Sequence, residues 1–412
     1  MSPPAPDPTR RIALLLIAAH VLSMAGFATY PALLAELRDA WSLSNSEAGM
    51  IGGLFFAGYV AAVSYATALT DRIDGRRVYL AGGALGFAGC AGFGLLADGF
   101  ASAVFFQMVH GAGIAATYMP GLRILTDRSA GAAQSRYVAF YTSFFGIGTA
   151  LSYALAGVLA PMLGWRAAFV LSALGPLAAG LIVWFGVPPT ARAPVAARPF
   201  SLATLFPLAA WRRVLAIRAA AGYTLGYTVH CIELFGSRAW MVAFLAFSTG
   251  LHAGGASFPW HAAAIAACVN LLSVPASILG NEAALRIGRR RWILVAMAAS
   301  GASGIALGAA AALAWPLVLA LLAVYTLLVM AESATLTAGL IASAPADLRG
   351  TAMGLYSLSG FAGGMLGPIL FGFTLDLAGG TGSPAAWVWA YAAIGAGCLG
   401  APLAVRLAAG RR

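Results

Sequence analysis

The strongest constraint on this chain is the recurrence of runs of twenty or more residues in which charge hardly interrupts the apolar side chains. Such runs occupy residues 12–34, 45–69, 78–98, 101–125, 137–161 and 165–187, and again 219–247, 258–283, 291–313, 315–341, 350–375 and 385–407. A helix crossing a bilayer needs about 20 apolar residues. The chain therefore reads as an all-α membrane protein with 12 transmembrane helices. Its charged fraction of 9% agrees, against roughly 25% in soluble domains. Glycine and proline fall inside the runs as well as between them, which membrane helices tolerate because neighbouring groups satisfy the freed backbone.

All 24 basic residues are arginine and the chain contains no lysine. That excludes a Schiff base on lysine and a Walker A phosphate loop, so neither a retinal photoreceptor nor a pump driven by its own ATP hydrolysis fits. Transport has to draw on a gradient. A net charge of +11 would suggest nucleic acid in a soluble protein, but the arginines are distributed by side. Arg10 and Arg11, Arg72, Arg76 and Arg77, Arg128 and Arg136, Arg212 and Arg213, Arg286 and Arg289 to Arg291, Arg349 and Arg406 all fall on one side of the expected spans. The other side holds little besides Arg38 and Arg166. By the positive-inside rule both termini are expected in the cytoplasm, as a multi-pass protein of a bacterial inner membrane with an uncleaved first span. Cys90, Cys231, Cys268 and Cys398 lie within expected spans without paired spacing, so buried free thiols are expected, with no cofactor.

The stretch 188–218 is the longest polar connection and separates six runs (1–187) from six (219–412). Gly75-Arg76-Arg77 follows the second run and Gly288-Arg289-Arg290 the eighth, 213 residues later. Tyr141 and Gly148 of the fifth run superpose on Tyr356 and Gly363 of the eleventh at an offset of 215. This is a weak internal duplication into two parallel halves, the architecture of one class of secondary transporter.

At these residues the chain resembles the major facilitator superfamily, whose loop signature is Gly-x-x-x-Asp-Arg-x-Gly-Arg-Arg. Asp71, Arg72, Arg76 and Arg77 match; Thr67 replaces the first glycine, and one extra residue separates Arg72 from Arg76. The resemblance implies two pseudo-symmetric six-helix bundles and a conformational latch at those four residues. In the second copy the counterpart is Glu282, Arg286 and Arg289. The fourth run carries Gln107-Met108-Val109-His110-Gly111-Ala112-Gly113, similar to the family's Arg-x-x-x-Gly-x-Gly pattern with glutamine for the arginine associated with proton coupling.

A charge at mid-bilayer costs a few kcal/mol even on lenient scales, so intramembrane ionisable residues are functional candidates. The seventh run holds the densest set. At 100° per residue, Tyr223, His230, Ser237 and Met241 fall within about 40° of one another, with Tyr227 and Glu233 about 60° from His230. Arg238 lies about 140° from Glu233, so each needs its own partner. Glu332 in the tenth run is the other strong candidate. His20, His110 and Gln107 are weaker ones.

The stretch Gly226 to Met241 is also similar to the seventh helix of the CcoA-type bacterial copper importers. In those proteins a Met-x-x-x-Met pair there and a His-x-x-x-Met pair on the next helix are implicated in copper uptake. This chain has Ser237 with Met241 and His261 with Ile265, while His20 and Met24 form an i, i+4 pair on the first helix. Thioether and imidazole suit cuprous ion, making His20, Met24, Met241 and His261 the metal candidates. The favoured reading is secondary transport of a small organic solute, anionic and coupled to protons, by a monomer in the bilayer. Copper import and drug or metabolite efflux are the alternatives. No segment is long enough for a soluble signalling domain, and no catalytic arrangement at recognised spacing suggests an enzyme.

Overall fold

The computed structural model describes residues 8–189, 206–252 and 260–408. The first part forms α1 (Pro8–Ser23), α2 (Thr29–Ala40), α3 (Asn45–Leu69), α4 (Gly75–Leu96), α5 (Phe100–Thr126), α6 (Gly131–Leu163) and α7 (Trp165–Gly186). The second forms α8 (Leu208–Ala216), α9 (Arg218–Leu251), α10 (Ala262–Leu271), α11 (Ser273–Ile287), α12 (Arg289–Ala309), α13 (Trp315–Ala331), α14 (Ser333–Ser343), α15 (Arg349–Leu377) and α16 (Pro384–Ala408). Much of the expected linker lies outside the described residues; α8 is its closing portion.

Eleven stretches are long and apolar enough to cross a membrane, with α10–α11 and α13–α14 each counted as one. The first expected span, residues 12–34, is broken between α1 and α2 and is not among them. At the break, Met24, Ala25, Phe27 and Thr29 donate to carbonyls three residues back instead of four. Pro31 removes one donor from the first turn of α2, so the α1 ladder cannot run through to it. The Ala28 N–H finds the Ser152 hydroxyl oxygen at 2.8 Å, which keeps a buried donor satisfied without a helix.

The eighth span breaks at Leu272. Pro275 lacks an N–H and its ring crowds the carbonyl four residues earlier, at Leu271. The tenth breaks at Glu332 without a proline or glycine. There the Trp292 indole donates to the Ala331 carbonyl at 2.9 Å, drawing that acceptor out of the helical ladder.

Contacts divide the chain into two compact units, residues 1–29 with 58–205 and residues 30–57 with 206–412. The segment 30–57 thus packs with the second unit. In the first unit, α4 lies against α5 and α7, and α1 against α6 and α7. The α4–α5 seam is close because Gly113 faces Gly86; a Cβ on Gly113 would lie 2.6 Å from the Gly86 Cα, so small residues set the helix spacing. Ala13, Leu16, Tyr79, Ile124, Tyr141 and Val183 form its apolar centre.

In the second unit, α9 runs along α15 and α16, while α12 packs on α16. Met297, Leu336, Leu340, Leu355, Tyr356 and Cys398 form its centre. Cys90, Cys231 and Cys398 are buried free thiols, but Cys268 is exposed. It sits on the outer face of α10, a face that helix position within an apolar run does not reveal.

Candidate functional site

The second unit gathers the ionisable residues of the seventh and tenth spans. His230 and Glu332 are wholly buried, and His230 Nδ1 lies 2.9 Å from Glu332 Oε1. A contact this short requires one proton between the atoms: an imidazole N–H, on a neutral or a protonated ring, donates to the carboxylate, or a carboxylic acid donates to the neutral imidazole. The break at Glu332 places that residue between α13 and α14, at a gap in the helix rather than on its face. Its other oxygen, Oε2, and His230 Nε2 have no hydrogen-bond partner among the described residues.

Aromatic stacking fixes the imidazole. The Tyr227 ring lies 5.7 Å from His230 at an interplanar angle of 21°, and its own stack on Tyr356 is 3.9 Å and 8°. The Tyr356 hydroxyl is 3.0 Å from the Thr337 hydroxyl, so the stack is anchored on α14, beyond the break that carries Glu332.

Glu233, also wholly buried, accepts a 2.8 Å hydrogen bond from Ser300 on α12 at Oε2; its Oε1 has no partner among the described residues. Arg238 donates to Ser273 at 3.0 Å and approaches the Met330 sulfur at 3.9 Å. Ser273 opens α11 just past the eighth span's break, and Met330 precedes the tenth span's break. Both interruptions therefore border the same polar cluster. At the tenth, Gly280 of α11 packs directly on the Ala331 carbonyl, where a side chain would leave no room.

The first unit holds the remaining candidates. His20 is wholly buried and stacked on Tyr141 at 4.5 Å and 24°, with Tyr118 at 5.1 Å and Phe145 at 6.3 Å. Neither of its ring nitrogens has a hydrogen-bond partner among the described residues. Gln107 and His110 are buried on α5, and His110 abuts Gly26 in the first span's break. Met24 is buried in that break and lies against Gly148 of α6. Of the metal candidates, His20 and Met24 belong to the first unit, Met241 and His261 to the second. Among the described residues no group of three or more His, Cys, Asp or Glu side chains is placed to hold a metal ion.

At the loop after the second span, Arg76 pairs with Asp74 at 2.7 Å, donates to the Val187 carbonyl at 2.9 Å and stacks over Trp184. Asp74 also caps α4 by accepting from the Arg76 backbone N–H. Burial disfavours the Asp74 carboxylate, but the hydrogen bonds and charge of Arg76, with Arg128 nearby, outweigh it and hold its carboxyl below the usual range. Asp71 instead lies 3.5 Å from Arg123 on the exposed surface. Glu282, Arg286 and Arg289 form no ion pair among the described residues.

Sequence reasoning passed over Asp74, Ser273, Ser300 and Thr337. For Asp74 a signal existed, since Asp before Gly-Arg-Arg is a good helix N-cap. The three hydroxyl residues carry none, because their partners come from other spans.

The family model described as Major Facilitator Superfamily matches residues 15–235, more than half of the chain. No curated protein matches. Among solved structures, the chain resembles a bacterial homolog of the human lysosomal transporter Spinster in an inward-facing, unoccupied conformation (TM-score 0.76, 16% identity, 98% of this chain and 96% of that one). It also resembles the nucleoside transporter NupG (TM-score 0.77, 14% identity, 96% and 99%). A third is a POT family transporter in complex with 5-aminolevulinic acid (TM-score 0.75, 11% identity, 96% and 95%). At these identities the likeness is one of fold. The many apolar spans, the family match and the shared fold lead to one conclusion: this multi-pass membrane protein belongs to the Major Facilitator Superfamily and carries out secondary transport of a solute.

Proposed function

We propose that the chain moves a small organic anion across a bacterial inner membrane together with protons, with both termini in the cytoplasm. Glu332 and Glu233 take and release the protons, His230 sets the state of Glu332, and Arg238 supplies the counter-charge to the solute. The observation that carries this reading is the buried 2.9 Å His230–Glu332 contact at a break in the tenth span. A buried carboxylate in low dielectric is costly when charged and uncompensated. One that meets a titratable imidazole on one side and has an unpartnered oxygen on the other has a reason to exchange protons. Arg238 remains charged at any physiological pH, so a solute carboxylate or phosphate reaching it gains a charge-assisted contact.

A second reading, uptake of cuprous ion, draws on His20 and Met24. Both ring nitrogens of the buried His20 lack partners among the described residues, and Met24 follows one turn later in sequence. Export of a drug or metabolite is the third. The latch residues Asp71, Arg72, Arg76, Arg77, Glu282, Arg286 and Arg289 keep their proposed role in conformational change, with Asp74 added as the acid that holds Arg76.

The test is uptake into proteoliposomes of radiolabelled carboxylates, amino acids, vitamins and copper at two external pH values. Accumulation of an organic anion driven by an inward proton gradient supports the first reading. Copper accumulation with no organic uptake replaces it by the second.

A further inference from the structure

Helix α8, Leu208–Ala216, takes no part in the transport reading, yet its faces are sharply divided. A single residue, Ile217, separates it from α9, whose first residue is Arg218. So short a connection holds α8 at the membrane surface where the seventh span enters. At 100° per residue, Ala210, Trp211 and Val214 cover an arc of about 100°. Val214 is wholly buried with Leu340, Ala344, Leu348 and Ala352, and Trp211 packs against the same cluster.

Leu208 and Leu215, seven residues apart, lie about 20° from each other on an adjoining face. They are 64% and 47% exposed. Arg212 comes next, about 40° from Leu208, and is exposed, as is Arg218. Neither forms an ion pair among the described residues, whereas the neighbouring Arg213 reaches Asp347 at 3.3 Å. An exposed aliphatic stripe beside an uncompensated guanidinium, on a helix tied to the bilayer surface, is complementary in both chemistry and depth to one partner class.

We propose that α8 is a docking site for an anionic phospholipid, its acyl chain against Leu208 and Leu215 and its phosphate against Arg212, with Arg218 adding charge. The planar guanidinium pairs two donors with two phosphate oxygens, and the helix lies in the interface with its apolar stripe toward the acyl chains. Because α8 also packs on Leu340, Ala344, Leu348 and Ala352, a lipid that steadies it steadies the connection between α14 and α15.

The test uses the purified full chain with dioleoyl phosphatidylglycerol, dioleoyl phosphatidylcholine and inorganic phosphate as separate probes, read by native mass spectrometry. Phosphatidylglycerol is expected to be retained in preference to phosphatidylcholine. Arg212→Gln should reduce that retention about five-fold, the equivalent of roughly 1 kcal/mol per basic residue at an anionic surface. Arg212→Lys, which keeps the charge but not the paired donors, should fall between the native chain and Arg212→Gln, and the double variant Leu208→Ser with Leu215→Ser should lose retention without removing charge. Millimolar inorganic phosphate should not displace the lipid. Equal retention of the two lipids, unchanged retention in Arg212→Gln, or displacement by phosphate alone would overturn the proposal. If Arg212→Gln is poorly folded, the Leu208/Leu215 variant and the lipid preference of the native chain decide it.

Discussion

Replacing Asp376 by alanine should weaken the attachment of segment 30–57 within the second unit, and the geometry sets how much. Asp376 lies near the end of α15 and caps the start of α3 from outside that helix. Its Oδ1 accepts from the Asn45 backbone N–H at 3.1 Å and the Asn45 side-chain amide at 2.8 Å. Its Oδ2 accepts from the Ser46 N–H at 2.7 Å and the Ser46 hydroxyl at 2.6 Å. Four charge-assisted bonds at roughly 1.5–3 kcal/mol each would sum to far more than the residue can contribute. Asp376 is exposed, so water replaces much of what is lost, and the first turn of α3 has its own capping box between Ser44 and Glu47. Loss of a helix cap, typically about 1 kcal/mol, with a charge–dipole contribution of about 0.3–1 kcal/mol at an exposed site, gives about 1–2 kcal/mol. In a chain of 412 residues that corresponds to a fall of about 1–2.5 °C in thermal midpoint, measured in one detergent at constant lipid content. Asp376→Asn keeps the shape but loses the charge and half of the acceptors, and should fall between. An alanine variant indistinguishable from the native chain, or an asparagine variant worse than the alanine, would refute the capping argument.

Other outcomes follow from single contacts. Asp74→Asn should destabilise the protein at neutral pH. A carboxyl held below its ordinary range stabilises the fold fully above that range and stops doing so as pH falls on through its lowered value, so the difference in thermal midpoint from the native chain should begin to narrow below about pH 4. Ser300→Ala removes the hydroxyl that donates to Glu233 Oε2 at 2.8 Å; it should lower gradient-driven accumulation, measured in proteoliposomes, and leave exchange intact. Gly280→Val forces α11 away from the Ala331 carbonyl and should cost about 1–3 kcal/mol as overpacking, read as thermal midpoint, with transport lost through displacement of Glu332.

The spans were legible because lipid imposes one requirement on every residue of a crossing helix, and an apolar run records it directly. Their interruptions were legible in part. Pro31 and Pro275 announce the first and eighth breaks, but the tenth depends on Trp292, forty residues earlier, reaching the Ala331 carbonyl, and Ala331-Glu332-Ser333 carries no local sign of it. Helical periodicity gathered Tyr227, His230 and Glu233 on one stripe of the seventh span. It could not pair His230 with Glu332, 102 residues away, because that contact is set by the packing of α9 against α14. The second-half loop shows the converse: its repeated Gly-Arg-Arg is plain in the sequence, while the acid that pairs in the first loop, Asp74, has no counterpart immediately before Gly288.

The most direct test of proton-coupled transport is accumulation in proteoliposomes carrying an imposed inward proton gradient, followed for the solute found by the uptake panel. Glu332→Gln and Glu233→Gln should abolish gradient-driven accumulation while sparing solute exchange across equal pH, since neither removes Arg238 or its Ser273 contact. Accumulation at the native level in both variants would contradict the assignment of these carboxylates as the proton sites.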